Sequence, residues 1–306
     1  MNSPLVSVVI CTYNGELFLN EQLTSLEQQD YPNLQFICSD NNSSDNTATI
    51  LKDWCSKAGN RIFTSIKVKG LNKNFFHAIK FAGGDYIIFC DQDDIWLPCK
   101  ITRLVTFHEN NLDASMVYCL SQPFTGTIPK AVTGNTKGII RLEGTEIKRS
   151  LLISFTLGHN MLISQKVLRS IPHPTGETIA YDWWITLSAM CLGPIRCLQE
   201  HLTLWRQHPG NVTKVLNEDL FFISRIEYLN AFLGNLLINA PNRSWITEAR
   251  KQFITLSNKR FSYSLFLFLL KNARHIFFYK RKVTKMSEWI SYIKWSFRMS
   301  RRTYRP

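Results

Sequence analysis

Acidic residues nearly vanish from the end of this sequence. Between Pro241 and Pro306 only Glu248 and Glu288 stand against 16 of the chain's 36 Lys and Arg. Residues 1–240 then hold 20 basic and 21 acidic side chains, so the net charge of +13 belongs to the tail and the body is neutral. Cysteine is present eight times but never as CxxC and never in a short Cys/His spacing, which excludes the common zinc modules. Several thiols lie inside apolar runs, where they behave as small hydrophobes, and a reducing compartment is expected. The longest uncharged apolar run near the tail, Phe261–Leu270, is ten residues, too short to span a bilayer. After Met1-Asn2-Ser3-Pro4 there is no charged n-region or cleavage site, so a signal peptide is not expected. No internal repeat or low-complexity segment occurs. A glycine-rich phosphate loop with a downstream lysine is missing from Leu5–Gly15, which counts against a sugar-nucleotide pyrophosphorylase.

What is there is a chain of 306 residues and 45% hydrophobic content, enough for one large or two ordinary domains. Its centre is Gly83–Trp96, GGDYIIFCDQDDIW. The continuous apolar run Tyr86–Cys90 predicts a strand buried on both faces. Asp91, Asp93 and Asp94 therefore crowd at its C-terminal end, where a parallel sheet opens its ligand crevice, and a divalent cation would relieve their repulsion. The same acids could instead solvate a turn and cap a helix.

Around this centre strands and helices alternate. Leu5–Cys11, Leu34–Ser39, Ile62–Val68 and Ser115–Leu120 read as strands, and Glu16–Gln29, the stretch from Thr47, and Asn72–Ala82 as helices. Short polar turns between them predict a mostly parallel, doubly wound α/β sheet. Ser121–Gly138 reads as a long loop, Tyr181–Met190 as an aromatic helix, and Ile195–Leu198 and Leu202–Trp205 as two short strands. From about Asn217 the pattern is helical, over Leu220–Leu237, Trp245–Leu256, Phe261–Phe278 and Ser287–Met299.

Four segments in order, SVVICTYNG (7–15), SDNNSSDNT (39–47), GGDYIIFCDQDDIW (83–96) and YDWW (181–184) with WRQH (205–208), resemble family 2 glycosyltransferases of the GT-A fold. DQDDIW and DWW resemble the rhamnosyltransferase-like branch, which acts on cell-surface polysaccharides. The resemblance implies a catalytic domain over residues 1–215 and a basic helical extension over 216–306. It implies that Thr12 and Asp40, with Tyr13 and Asn42 in the same loops, hold the nucleotide, Asp40 accepting from a pyrimidine N3–H. Asp45 reads as a helix cap. The family's frequent DDGS turn is here Asp40-Asn41-Asn42-Ser43, an altered turn that Asn tolerates. Asp91 and Asp93 match the family's DxD, implying Mg2+ or Mn2+ at Asp93 and Asp91, with Asp91 also near the donor's ribose or sugar. Asp94 is a sugar contact or a cap.

Asp182 is implied as general base, deprotonating the acceptor hydroxyl in an inverting displacement, and its aromatic neighbours would raise its basicity. Arg206 and His208 match the basic motif that holds the diphosphate. His159, with Asn160, is expected to line the acceptor or donor-sugar site. Trp183 and Trp184 either stack on a sugar or belong to the core. The expected donor is a UDP- or dTDP-linked sugar, and the acceptor a glycan or polyprenyl-linked glycan.

In the tail, apolar residues of 261–285 are interleaved with Arg260, Lys271, Arg274, Lys280, Arg281 and Lys282. This reads as an interfacial helix on an anionic membrane, on the inner face of the cell membrane, or as a helical subdomain packed on the core. Nucleic-acid binding is disfavoured by the acidic crevice and by the lack of a nucleic-acid module. A membrane or nucleic-acid adaptor with a vestigial nucleotide fold is the non-enzymatic alternative.

Overall fold

The structure is a computed structural model that describes residues 3–136, 141–211, 218–257, 260–280 and 284–301, without the side chains of 218–223, 257 and 280. The expected boundary at residues 215/216 and the basic residues Arg281 and Lys282 lie outside the described residues. Strand β1 (Val6–Thr12) is followed by α1 (Glu16–Glu27), β2 (Leu34–Asp40), α2 (Thr47–Ser56), β3 (Arg61–Ser65) and α3 (Leu71–Ala78). Next come β4 (Tyr86–Cys90), β5 (Ile95–Trp96), α4 (Lys100–Glu109), β6 (Met116–Phe124), β7 (Met161–Ser164), α5 (Gln165–Arg169), α6 (Tyr181–Leu192) and β8 (Ile195–Arg206). The chain continues through α7 (Glu218–Leu233), α8 (Ala240–Ser257), α9 (Tyr263–Lys271), α10 (Ala273–Ile276) and α11 (Lys285–Met299).

The strands form one eight-stranded sheet in the order β3-β2-β1-β4-β7-β6-β8-β5. The β3-β2-β1-β4 half is parallel throughout, and β7 and β5 are the antiparallel members. Strand β4 is buried at every residue, and its side chains part by the period of two. Tyr86, Ile88 and Cys90 join Val8 and Ile10 in the core beneath α1, α2 and α4. Ile87 and Phe89 join Val9 and Cys11 in the opposite core, shared with α3, α6 and the C-terminal helices.

Three expectations change in detail. Strand β6 runs on to Phe124, taking the first residues of the expected loop. Strand β8 is continuous where two strands were expected, because a bulge against Tyr118–Ser121 carries pairing past Gln199-Glu200-His201. The helix expected over Phe261–Phe278 breaks at Asn272, which ends α9 and precedes α10. Among the described residues no helix is long and apolar enough to cross a membrane.

Candidate active site

The carboxyl ends of β1, β2 and β4 open side by side, and α6 begins across from them. At the end of β1, Thr12 Oγ1 donates to Asp40 Oδ1 at 3.1 Å. Asp40, buried at the end of β2, also accepts from the Ser43 amide at 2.9 Å and from its hydroxyl. Asn42 takes a φ of 58°, in the left-handed region that Asn enters more readily than other non-glycine residues. Asp45 accepts from the Thr47 amide at the start of α2, as expected, and also from the Glu16 amide at the start of α1. Tyr13 is exposed and receives a hydrogen bond from Lys69 Nζ on its hydroxyl at 2.8 Å.

Gln92 is a residue that sequence reasoning missed. Its amide accepts from Tyr13 N–H at 2.8 Å and donates to Tyr13 C=O at 3.1 Å, tying the turn after β4 to the turn after β1. A Cβ at Gly15 would lie 2.4 Å from its Oε1, so the glycine makes room for this clasp.

The acid cluster lies in that turn and is neutralised from behind. His159 Nδ1 is 2.9 Å from Asp91 Oδ2 and 3.0 Å from Asp94 Oδ2. Two acceptors around one nitrogen require the proton there, and His159 Nε2 meets Ser121 Oγ at 2.8 Å. Burial works against the imidazolium, but Asp94 and Asp91 outweigh it and push His159 up to about 10. Expected to line a sugar site, His159 instead lies buried beneath the acids. Asn160 is also buried, donating to Ser121 Oγ and accepting from Thr203.

Lys100, missed as well, is fully buried. Its Nζ donates to the His159 carbonyl at 2.6 Å and to Thr203 Oγ1 at 2.7 Å, and sits 3.6 Å from the centre of the Trp96 ring. Asp93 is pushed up to about 6 by burial and by Asp91 and Asp94, against the pull of His208, whose Nε2 is 2.8 Å from Asp93 Oδ2.

Arg206 is placed behind the acids. Its guanidinium pairs with Glu21, its Nε donates to the Asp93 carbonyl at 2.8 Å, and its plane lies between the Phe18 and Phe124 rings. Its backbone N–H donates to Asp94 Oδ1 at 3.1 Å. Arg206 is thus buried and holds the acidic turn.

Asp182 stands in the first turn of α6, half-buried. Its Oδ1 accepts from the Trp183 amide at 2.7 Å and its Oδ2 from the Gly158 amide at 3.2 Å. Burial pushes the carboxyl up to about 6, and Asp91 adds to this against those two hydrogen bonds. Tyr181 stacks on Phe75 at 3.7 Å, and a Cβ at Gly158 would fall 1.9 Å from its hydroxyl. Trp183 and Trp184 are both core. Their indole N–H groups donate to Ser150 and Pro172 carbonyls, and Phe232 packs on both rings. The expected sugar stacking by Trp184 is therefore corrected, since its buried ring has no face toward the crevice.

A divalent cation suits the carboxylates of this turn. Ligand atoms of Asp91, Asp94 and His159 lie within 4.8 Å of one another, with Asp94 Oδ2 already buried against His159 Nδ1 at 3.0 Å. The carboxylates are hard oxygen ligands, whereas a protonated His159 is a counter-ion and offers no lone pair at Nδ1. Asp91 and Asp93 are the acids of the turn with side-chain access to solvent, 41% and 14% exposed.

A mostly parallel sheet with acids at the β4 end and a carboxylate across the crevice defines a GT-A glycosyltransferase fold. The chain belongs to glycosyl transferase family 2, whose family model matches residues 7–171. It is 27% identical over 233 residues to an uncharacterized glycosyltransferase of Haemophilus influenzae, covering 71% of this chain and 70% of that one. It is 37% identical over 102 residues to the dTDP-rhamnosyl transferase RfbG of Shigella flexneri, covering 31% of this chain and 35% of the relative. With the Escherichia coli UDP-Glc:alpha-D-GlcNAc-diphosphoundecaprenol beta-1,3-glucosyltransferase WfgD it shares 31% over 111 residues, 36% of this chain and 44% of that one. The chain thus spans less than half of these two named relatives. Among solved structures, Staphylococcus aureus TarS 1-349 with UDP-GlcNAc superposes with a TM-score of 0.61 at 18% identity, over 97% of this chain and 81% of the other. A Pyrobaculum calidifontis mannosyltransferase with GDP-Man and Mn2+ gives 0.54 at 13%, over 97% and 85%.

Proposed function

We propose that this protein is an inverting, metal-dependent glycosyltransferase. It moves a hexose or deoxyhexose from a UDP- or dTDP-linked donor to a glycan or polyprenyl-linked glycan in cell-surface polysaccharide synthesis. The observation that carries the reading is the company of two kinds of acid. Asp91 and Asp93 keep solvent access at the end of β4, and Asp182, with a raised proton affinity to which Asp91 contributes, stands in the first turn of α6. The named relatives above, a rhamnosyl and a glucosyl transferase, support the donor and acceptor classes.

The nucleotide lies against Thr12, Tyr13, Asp40 and Asn42, with Asp40 held in orientation by Thr12 and Ser43. Asp91 and Asp93 would hold a divalent cation, Mg2+ or Mn2+, which would neutralise charge on the leaving diphosphate. His208, beside Asp93, faces the same phosphates. Arg206 fixes the Asp93 carbonyl and the Asp94 carboxylate and adds its positive field from behind. Asp182 takes the proton of the acceptor hydroxyl as that oxygen attacks the anomeric carbon from the side opposite the leaving group. A direct displacement inverts the centre and needs one base. Residues 1–215 supply all of these side chains, and the basic extension 216–306 attaches the enzyme peripherally to the cytoplasmic face of the membrane.

The test pairs a donor panel with Asp182→Asn. Metal-dependent thermal stabilisation by one UDP or dTDP sugar should persist in the variant. Transfer should fall by about 10²–10⁴-fold. Full transfer by a folded variant would remove Asp182 from its role.

A further inference from the structure

We propose that the outward face of α11, with the neighbouring end of α9, is a docking surface for an anionic lipid bilayer. The proposal rests on the peripheral attachment inferred above and names the surface that makes it. Helix α11 has two apolar sides. Tyr292, Ser296 and Met299 are buried against the protein. On the other side Met286, Trp289, Ile290, Ile293 and Phe297 follow a helical i, i+3, i+4, i+7, i+11 spacing, so they form one stripe, and each is between 45% and 73% exposed. Tyr263 and Leu267 of α9 are exposed as well, and Phe261 and Phe266 bring that helix against Phe297. Exposed apolar residues scattered singly are ordinary, whereas a continuous stripe along one helix marks an interaction site.

The rim of the stripe identifies the partner. Lys285, Lys294, Arg298 and Arg301 are exposed along its edges, and Arg301 lies over the Phe297 ring at 5.5 Å. The one acid of α11, Glu288, accepts the Tyr292 hydroxyl at 2.6 Å and so is directed to the buried side. An apolar stripe with Trp and Phe between cations matches a helix lying in the interface of an anionic leaflet. A second copy of this chain suits the surface less, because a two-fold contact would set the same cations against each other.

The surface is not where the apolar content of the sequence is highest. In the Phe261–Phe278 stretch, Leu265, Leu269, Ile276, Phe277 and Phe278 are buried in the protein core. Of that stretch only the exposed Tyr263 and Leu267 adjoin the docking surface, whose main part lies on α11.

Co-sedimentation of the full chain with vesicles tests this, using phosphatidylcholine alone and phosphatidylcholine mixed with phosphatidylglycerol at near-physiological salt. The wild type should partition into anionic vesicles at least about tenfold better than into neutral ones. Ile290→Glu/Ile293→Glu and Lys294→Glu/Arg298→Glu should each weaken that binding about tenfold or more, with unchanged melting temperatures. If the first pair melts early, Ile290→Ser provides the milder version. Binding by the wild type that both variants retain would overturn this surface while leaving attachment intact. No binding by the wild type would overturn both. A dimer in sedimentation velocity that the variants dissociate, without vesicle binding, would assign the stripe to a second copy.

Discussion

Lys100 carries a charged group into the interior, beneath the His159 that pairs with the acidic turn. Burial pulls its ammonium down to about 8, while nearby Asp94 and Asp91 oppose that fall. Its two buried acceptors, the His159 carbonyl and Thr203 Oγ1, each take a hydrogen bond from this ammonium. Lys100→Met keeps the stem and removes the donor, so urea unfolding should show a loss of about 3 kcal/mol, with a loss under about 0.5 kcal/mol refuting the role. Asp182 makes the opposite kind of prediction. Its folded-state value near 6 lies above the ordinary carboxylate value of 3.8, so the folded protein favours the protonated form. Native stability from this group is therefore present at low pH and lost as pH rises from about 4 through about 6. Asn cannot ionise and escapes that loss. The melting temperature of Asp182→Asn relative to wild type should shift in the variant's favour between pH 5 and pH 8. An unchanged difference would mean that the carboxylate is not strained by its surroundings.

Elements whose apolar period is uninterrupted are legible in the sequence itself. Strand β4 is the clearest case, because a run of five apolar residues between two glycines and a cluster of acids fits a strand buried on both faces. Strand β8 is legible only in halves. Gln199-Glu200-His201 interrupts the apolar pattern, and nothing local announces that a bulge keeps the chain paired with β6. Strand β5 is two residues long and exists through its pairing with β8, so no window of sequence contains its cause. The break at Asn272 has a similar origin. Its side chain donates to the Phe268 carbonyl and accepts from Trp245 Nε1 on α8, a distant partner that sequence spacing does not reveal. At the site, the residue types of the DxD turn and Asp182 are legible from motifs. The buried supports are legible only in part, since Arg206 and His159 stand out in the sequence but take their places beneath the acids, with Lys100 under His159, only after folding.

At the scale of the whole molecule the candidate site and the fold have different limits. All proposed site side chains lie before residue 212, yet the core around α6 is completed by helices that follow. Phe232 of α7 packs on Trp183 and Trp184, and Tyr228 meets Trp183 edge-on at 4.9 Å. Leu229, Ile246, Phe253 and Leu265 continue the same buried cluster. A chain ending at residue 215 would expose both indoles and the apolar side of α6, a patch well beyond what a soluble monomer carries. Such a truncation should lower the melting temperature by about 10 °C or more, or drive aggregation, because several kcal/mol of burial is lost and each shifts a chain of this size by roughly 2–4 °C. Thermal unfolding of the truncated and full chains decides the matter. A truncation that melts with the full chain and still binds donor would make residues 1–215 autonomous and leave the basic helices to the membrane alone. The expected loss would instead give those helices the task of closing the core around α6, whatever their outward face meets.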